Sequence, residues 1–287
     1  METNISATLA RHALGVATPA RYTKLCGVEL AYSDSEGSGL PIVCLHAIGH
    51  GGRDFLPLRD RLDPGYRFIT LDWPGQGRSG DDALPASADR YTDILSEFLD
   101  DLEIERPVLL GNSIGAAAAI QYAARDSERV LALVLANPGG LAPVDLMTRV
   151  FARGFASFFR AGSRDARWFR PAFRAYYRRV LQGEPAGQQR QRIEAACYEI
   201  APVLAQAWTS FTRADADLRA RARQITCPIL FTWAKNDQIV SYARSRAAIE
   251  SLPTARVEFF EAGHSAFLED PDAFASAFGR FLASLQS

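Results

Sequence analysis

The stretch RPVLLGNSIGAAAAIQYAA, residues 106–124, decides the fold. It begins as an apolar, strand-like run, places Ser113 between Gly111 and Gly115, and continues as an alanine-rich segment typical of a helix. In a G-x-S-x-G turn the chain reverses so sharply that side chains two positions either side of the serine would clash. The hydroxyl is then exposed at the carboxyl edge of a sheet, beside a helix N-terminus that favours negative charge. The stretch therefore predicts a nucleophilic serine at a strand-to-helix corner.

The other apolar runs alternate with helix-length segments. Six short runs predict buried strands: GLPIVCLH (39–46), YRFITLDW (66–73), RPVLLGNS (106–113), RVLALVLAN (129–137), CPILFTWA (227–234) and ARVEFFEAG (255–263). Alternation of strands and helices predicts an α/β fold with a mostly parallel sheet covered on both faces. Ahead of it, residues 22–39 predict an antiparallel edge hairpin.

Length and composition limit the class of protein. The chain has 287 residues, 48% of them hydrophobic, and a net charge of −1, which suits one large α/β domain or a core with an inserted subdomain. No apolar run is long enough for a membrane helix, and Glu2 argues against a secretory signal. The four scattered cysteines predict neither a disulfide framework nor a metal site, and we expect a reducing, cytoplasmic location. Near-neutral charge and the absence of a binding motif argue against nucleic acid as a partner.

One segment differs in composition from the rest. Residues 149–192 hold eleven arginines and two acids, a net charge of +9, together with nine of the chain's thirty aromatic residues. No convincing strand occurs from about Gly139 to Arg223, so the sequence predicts a helical cap inserted at 140–215. The predicted core then comprises 21–139 and 216–287, preceded by a helix or tail at 1–20.

A serine nucleophile needs a base, and the base needs an orienting acid. Of the four histidines, His264 follows the last predicted strand, where its loop would lie over the same sheet edge as Ser113. Asp237 follows the penultimate strand, whereas its rivals Asp215 and Asp217 follow none. The predicted triad is therefore Ser113, Asp237 and His264, in that chain order.

Five motifs together resemble the α/β-hydrolase superfamily over nearly the whole chain. They are LHAIGHGGRDF (45–55), DWPGQGRS (72–79), GNSIGA (111–116), AKND (234–237) and GHSAFLEDP (263–271). The resemblance implies an eight-stranded, mostly parallel sheet flanked by helices, with the cap inserted after the sixth strand. It also implies an oxyanion hole made by the backbone N–H groups of Ile48 and Ile114. Ala47 departs from the glycine that is common in the family, and we expect its methyl to narrow or re-aim this loop.

The remaining polar and aromatic residues admit competing interpretations. His46 and His50 lie four residues apart, but loop-shaping hydrogen bonds are favoured over a metal site, and no metal or cofactor is expected. The predicted substrate pocket contains His46, Phe155, Phe159, Phe173 and Tyr177. The arginines at 170, 174 and 178 share one helical stripe, which predicts a solvated exterior. The alternative is a contact with an anionic carrier protein, a coenzyme A thioester, a carboxylate substrate or an acidic membrane surface.

The sequence thus predicts a serine esterase acting on a small to medium apolar acyl or aryl substrate through an acyl-enzyme. GNSIG is also similar to the elbow of carbon–carbon hydrolases of ring-cleavage products, although Ser265 stands where that family usually has tryptophan. Thioesterase, lactonase, amidase and perhydrolase activities stay open, as does a non-enzymatic, hydrolase-like ligand-binding protein. A homodimer is compatible with the sequence.

Overall fold

The computed structural model describes residues 10–17 and 19–285, so half of the predicted N-terminal segment 1–20, residues 1–9 and 18, lies outside the described residues. Eight strands form one sheet: β1 Arg21–Leu25, β2 Val28–Asp34, β3 Pro41–Leu45, β4 Arg67–Leu71, β5 Val108–Asn112, β6 Ala132–Ala136, β7 Ile229–Ala234 and β8 Ala255–Phe260. Their spatial order is β1-β2-β4-β3-β5-β6-β7-β8. The β1–β2 and β2–β4 pairs are antiparallel and the others parallel. The predicted mostly parallel sheet with an edge hairpin is confirmed.

Helices connect and cover the strands. They are α1 Leu56–Arg59, α2 Ala88–Asp101, α3 Ile114–Arg125, α4 Leu146–Gly162, α5 Phe169–Val180, α6 Gly187–Ala195, α7 Cys197–Ser210, α8 Arg219–Ala222, α9 Tyr242–Glu250, α10 Ala266–Glu269 and α11 Pro271–Ser284. The ends follow local chemistry: Ser87 caps α2 by accepting a hydrogen bond from the Arg90 N–H, and Asp270 caps α11 in the same way. None of the helices in the described ranges is long and apolar enough to cross a membrane.

The core lies between the central strands and their helices. Every residue of β5, β6 and β7 is buried, as expected for parallel strands covered on both faces. The four consecutive alanines of α3, residues 116–119, are fully buried, because small side chains let this helix approach the sheet closely. This packing fixes the N-terminus of α3 directly above the end of β5.

Helices α4 to α7 lie between β6 and β7, inside the segment predicted as a cap at 140–215. Their shared interior is aromatic: Phe159 of α4 contacts both Phe169 and Phe173 of α5, with ring centroids 6.3 Å apart in each pair. All three side chains are fully buried. The periodic phenylalanines of this segment therefore hold its helices together.

Candidate active site

Ser113 occupies the corner between β5 and α3 in a strained conformation, with φ 54° and ψ −112°. A Cβ at Gly111 would lie 2.5 Å from Ala116 Cα, and one at Gly115 would lie 2.2 Å from the Leu45 carbonyl oxygen. Both positions therefore exclude any side chain. Two backbone hydrogen bonds hold the corner: the Ser113 N–H donates to the Ala136 carbonyl at 3.0 Å, and the Gly139 N–H donates to the Ser113 carbonyl at 3.1 Å.

Asp237 and His264 meet at the same edge of the sheet. They follow β7 and β8, and His264 Nδ1 lies 2.8 Å from Asp237 Oδ2. With Nδ1 protonated and donating to the carboxylate, Nε2 is the ring nitrogen available to take a proton. Burial lowers the pKa of His264, but the neighbouring Asp237 and, more weakly, Glu269 carboxylates outweigh this and raise its pKa above the usual value.

Ser113 lies near this pair without a hydrogen bond to it. Among the described residues, no hydrogen bond joins the Ser113 hydroxyl to His264, whereas Ser113 and Asp237 both line the same cavity. Contacts between nucleophile and base are often long before substrate binds and shorten in the complex. The structure thus brings the three predicted residues to one sheet edge and forms the acid–base contact between two of them.

Asn137 is a functional residue that the sequence reasoning missed. Its Nδ2 donates to Asp237 Oδ2 at 2.6 Å, and its Oδ1 accepts from the Ala234 N–H at 3.1 Å. The second carboxylate oxygen, Oδ1, accepts from the Ile239 N–H at 2.7 Å. Asn137 has φ 44°, a conformation that asparagine tolerates well. The available signal was an asparagine directly at the carboxyl end of β6, before a Pro-Gly-Gly turn.

Asn112 links the serine corner to the histidine loop. Its buried Nδ2 donates to the carbonyls of Ala136 and His264, at 3.0 and 3.1 Å. Its Oδ1 accepts from the Ser265 hydroxyl at 3.0 Å. The side chain before the nucleophile and the one after the base are therefore joined directly, which fixes the separation of the two loops.

Glu269 anchors the histidine loop from the other side. This buried carboxylate accepts from the N–H groups of Gly263 at 3.0 Å and Ser265 at 3.1 Å, the residues flanking His264. It also accepts from the N–H groups of Gln182 at 2.6 Å and Gly183 at 3.0 Å, just beyond α5. Four donors on one carboxylate hold the base in place and attach it to the inserted helices.

The two predicted oxyanion donors come from different parts of the chain, Ile48 from the loop after β3 and Ile114 from the start of α3. Ile114 is the first residue of α3, where a backbone N–H has no partner within the helix. Within the described chain, the Ile48 N–H makes no hydrogen bond, and Ile48 lines the cavity with Ser113. Ala47 is not one of the described residues with positive φ, so its methyl fits the loop without backbone strain, while Gly49 adopts φ 78°.

His46 shapes this loop from inside the protein. Its Nε2 accepts from the Trp73 N–H at 2.9 Å, and its Nδ1 lies 2.7 Å from the Ala47 carbonyl oxygen. Burial lowers its pKa to about 3, so the ring is neutral. The His50 side chain is also hydrogen-bonded within the protein, with its Nδ1 2.5 Å from Asp54 Oδ2. Asp54 is an acidic partner that the sequence reasoning overlooked. No group of metal-ligating residues occurs in the described ranges.

A cavity of about 300 Å³ opens beside Ser113. Its walls are mainly apolar and include Met147, Phe151, Trp208 and Phe211, and among the described residues that line it Arg244 is the only cation. The predicted pocket residues require correction: His46, Phe155, Phe159, Phe173 and Tyr177 are not among the residues that line it. Phe155 packs behind the wall, its ring stacked on Trp208 at 4.6 Å, and the others are buried in the core. The periodicity identified the apolar faces of α4 and α5 but not which aromatic residues reach the cavity.

The chain is similar to known proteins over most of its length. A family model described as "Alpha/beta hydrolase family" matches residues 42–277. A pimeloyl-[acyl-carrier protein] methyl ester esterase of Xanthomonas axonopodis pv. citri (strain 306) is 31% identical over 265 residues, covering 88% of this chain and 98% of the relative. The 2-hydroxy-6-oxononadienedioate/2-hydroxy-6-oxononatrienedioate hydrolase 2 of Pseudomonas putida is 26% identical over 86% of this chain and 89% of its own.

Solved structures show the same fold at lower identity. A thermophilic esterase from Thermogutta terrifontis superposes with a TM-score of 0.78 at 20% identity, covering 94% of this chain and 100% of that one. The enol-lactonase from Burkholderia xenovorans LB400 has a TM-score of 0.74 at 22% identity, covering 92% and 100%.

Proposed function

Because this chain belongs to the alpha/beta hydrolase family, we propose that it is a serine hydrolase that cleaves an ester of a small or medium apolar acid. The observation that carries the proposal is the strained Ser113 corner on the same cavity as the Asp237 carboxylate, which is hydrogen-bonded to His264. A ligand-binding protein would not require a buried acid–base pair beside a strained serine that lines a cavity.

Acylation follows from these positions. His264 Nε2 takes the proton of Ser113 Oγ as that oxygen attacks the ester carbonyl carbon. Asp237 stabilises the imidazolium, and the N–H groups of Ile48 and Ile114 donate to the oxyanion. The tetrahedral intermediate collapses when His264 protonates the departing alkoxide, which leaves an acyl-Ser113 ester and free alcohol.

Deacylation repeats these steps with water as the nucleophile. His264 takes a proton from a water molecule, whose oxygen attacks the acyl carbon. The second intermediate collapses as His264 returns the proton to Ser113 Oγ, releasing the acid. Restoration of the serine makes the cycle catalytic.

The cavity supports an apolar acyl group. Phe151, Trp208 and Phe211 offer aromatic surface, and burial of such surface is the main source of binding energy for an apolar ligand. The Xanthomonas relative is named as a methyl ester esterase, which supports ester cleavage. Four cysteines without disulfides support the proposed cytoplasmic location.

Carbon–carbon hydrolysis is the second candidate. The Pseudomonas putida relative is named as a hydrolase of a dienedioate, and Arg244 at the cavity could meet a substrate carboxylate. Arg244 is already paired with Asp145 at 2.8 Å, so a carboxylate would have to displace that partner. This competition makes the ester the preferred substrate.

A covalent probe tests the proposal. We expect a fluorophosphonate to add one equivalent to the wild-type protein by intact mass, and none to Ser113→Ala. The matched control Ser157→Ala removes an exposed hydroxyl and should label fully. Equal labelling of Ser113→Ala, or no labelling of the wild type, would overturn the assignment. A panel of p-nitrophenyl esters and a dienoate ring-cleavage product then separates the two candidate reactions.

A further inference from the structure

Helix α4 exposes an unusual amount of apolar surface at its N-terminal half. Leu146 is 74% exposed, Met147 66%, Val150 60% and Phe151 41%. At 3.6 residues per turn these four side chains fall within an arc of about 140°, which is the width of a broad amphipathic face. Contiguous exposed apolar groups of this kind mark a surface that contacts something other than water.

This face continues into the cavity of the catalytic serine. Met147 and Phe151 line the cavity with Ser113, while Leu146 and Val150 stand outside it on the same helix face. An apolar path therefore runs from the exposed surface to the nucleophile. A group that leaves an apolar environment along this path need not cross water before it reaches Ser113.

Positive charge follows the apolar face along the chain and outnumbers the single acid of that stretch, Asp165. Arg153 and Arg160 are exposed on α4, and Arg164 and Arg167 are exposed on the turn after it. In the part of the chain that the structure describes, none of these four forms an ion pair. Trp168, 55% exposed, follows them with its ring centroid 6.0 Å from that of Phe158. We define the mouth patch as Leu146, Val150, Arg153, Arg160, Arg164, Arg167 and Trp168, together with the cavity residues Met147 and Phe151.

We propose that the mouth patch docks on an anionic phospholipid surface and receives apolar ester substrates from it. The composition fits the membrane interface: aliphatic side chains enter the acyl boundary, tryptophan lies at the headgroup level, and arginines meet phosphates. An acidic carrier protein would satisfy the arginines but leave the aliphatic residues of α4 without an apolar partner. Delivery of substrate rests on the proposed esterase function, whereas docking itself does not.

Trp168 provides a direct reading of docking. The test uses full-length protein with phosphatidylcholine vesicles containing roughly one third phosphatidylglycerol and brominated acyl chains, a fraction typical of anionic membranes. We expect fluorescence quenching and co-sedimentation with these vesicles, both reversed by high salt, and neither with phosphatidylcholine alone. Trp168→Phe should reduce the quenching and retain sedimentation. Trp73 and Trp233 are buried, so any quenching left in this variant reports Trp208 in the cavity wall.

Charge placed in the patch should prevent docking. Leu146→Glu/Val150→Glu should weaken vesicle binding by about tenfold or more. Arg153→Gln/Arg160→Gln should weaken it to a similar extent, with a shallower salt dependence. Leu84→Glu is the matched control, since Leu84 is 54% exposed and is not part of the mouth patch. Hydrolysis of a short, water-soluble ester should be unchanged in all three variants, which shows that they are folded.

Each outcome decides the proposal. The docking proposal is overturned if the wild type does not bind anionic vesicles, or if Leu146→Glu/Val150→Glu binds them equally well. It is also overturned if the protein binds a purified acidic acyl carrier protein and not the vesicles. Ser113→Ala should bind vesicles like the wild type. Normal vesicle binding by a wild-type protein that hydrolyses no ester would therefore refute the proposed function and leave docking intact. Ester hydrolysis without vesicle binding would refute docking alone.

Discussion

The side-chain amide of Asn137 donates a 2.6 Å hydrogen bond to Oδ2 of Asp237, the same oxygen that lies 2.8 Å from His264 Nδ1. Asn137 also accepts from the Ala234 N–H, so its amide orientation is fixed by the end of β7. We therefore predict that Asn137 is a positioning residue, which orients the Asp237 carboxylate toward His264, the proposed base.

Asn137→Ala should lower kcat roughly 10- to 100-fold with little change in KM, because a misplaced base slows proton transfer without removing cavity contacts. Steady-state kinetics on a soluble ester would measure this. Asn236→Ala, an exposed neighbour of Asp237, is the control and should keep full activity. An unchanged kcat in Asn137→Ala would show that Asp237 is held by the Ile239 N–H alone.

Glu269→Gln should change the pH profile. His264 must be neutral to act as a base, so activity rises with pH through its pKa. Asp237 and Glu269 are the charged groups that raise that pKa, and loss of one negative charge lowers it. The acidic limb of kcat/KM should therefore move to lower pH, whatever the change in maximal rate.

The control for this charge change is Glu261→Gln, an exposed residue paired with Lys235. Its acidic limb should coincide with that of the wild type. A Glu269→Gln limb that stays in place or moves to higher pH would refute the electrostatic role and leave only the anchoring hydrogen bonds.

Gly115→Ala should destabilise the protein by on the order of 3 kcal/mol, because its Cβ would meet the Leu45 carbonyl at 2.2 Å and neither backbone can move freely. Gly279→Ala provides the contrast. Nothing lies within 4 Å of its added Cβ inside α11, and we expect a gain of about 0.5–1 kcal/mol. Urea unfolding measures both. Equal free energies of unfolding for the two variants would contradict the packing of the serine corner.

The neutral, buried His46 predicts loss of stability in acid. Its pKa is about 3 in the folded protein and near 6.5 when unfolded, so the unfolded state gains a proton first as pH falls. This contribution is present above pH ~6.5 and decreases by about 2 kcal/mol between pH 7 and 5. His46→Gln should be less stable at pH 7 but show a shallower pH dependence of unfolding. A parallel dependence in the two proteins would exclude this role.

The alternation of apolar runs predicted the mostly parallel sheet, which the structure confirms. Ser113, Asp237 and His264 were proposed as the reactive residues because each follows a strand at the shared edge of that sheet. Asn137 also ends a strand, but an asparagine before a Pro-Gly turn has an ordinary explanation as a turn residue. Its role depends on a contact across 100 residues that no local pattern reveals.

The cavity walls were beyond sequence reasoning for a different reason. Helical spacing shows that Phe151, Phe155 and Phe159 lie near one another, yet only the crossing of α4 over α7 decides which of them faces Ser113. Phe159 is buried, Phe155 stacks on Trp208, and Phe151 lines the cavity. Amphipathic periodicity defines a helix face, whereas docking of that face depends on partners far along the chain.

The attachment of the histidine loop to the inserted helices has a consequence for how substrate enters. The His264 N–H donates to the Val180 carbonyl at 2.7 Å, and Glu269 binds the two N–H groups just beyond α5. Any displacement of the helices at this end would pull the general base away from Asp237. We infer that this end is the fixed pivot of the inserted helices. Motions that admit substrate then belong to the opposite end, at the start of α4, where the helices can move without separating His264 from Asp237.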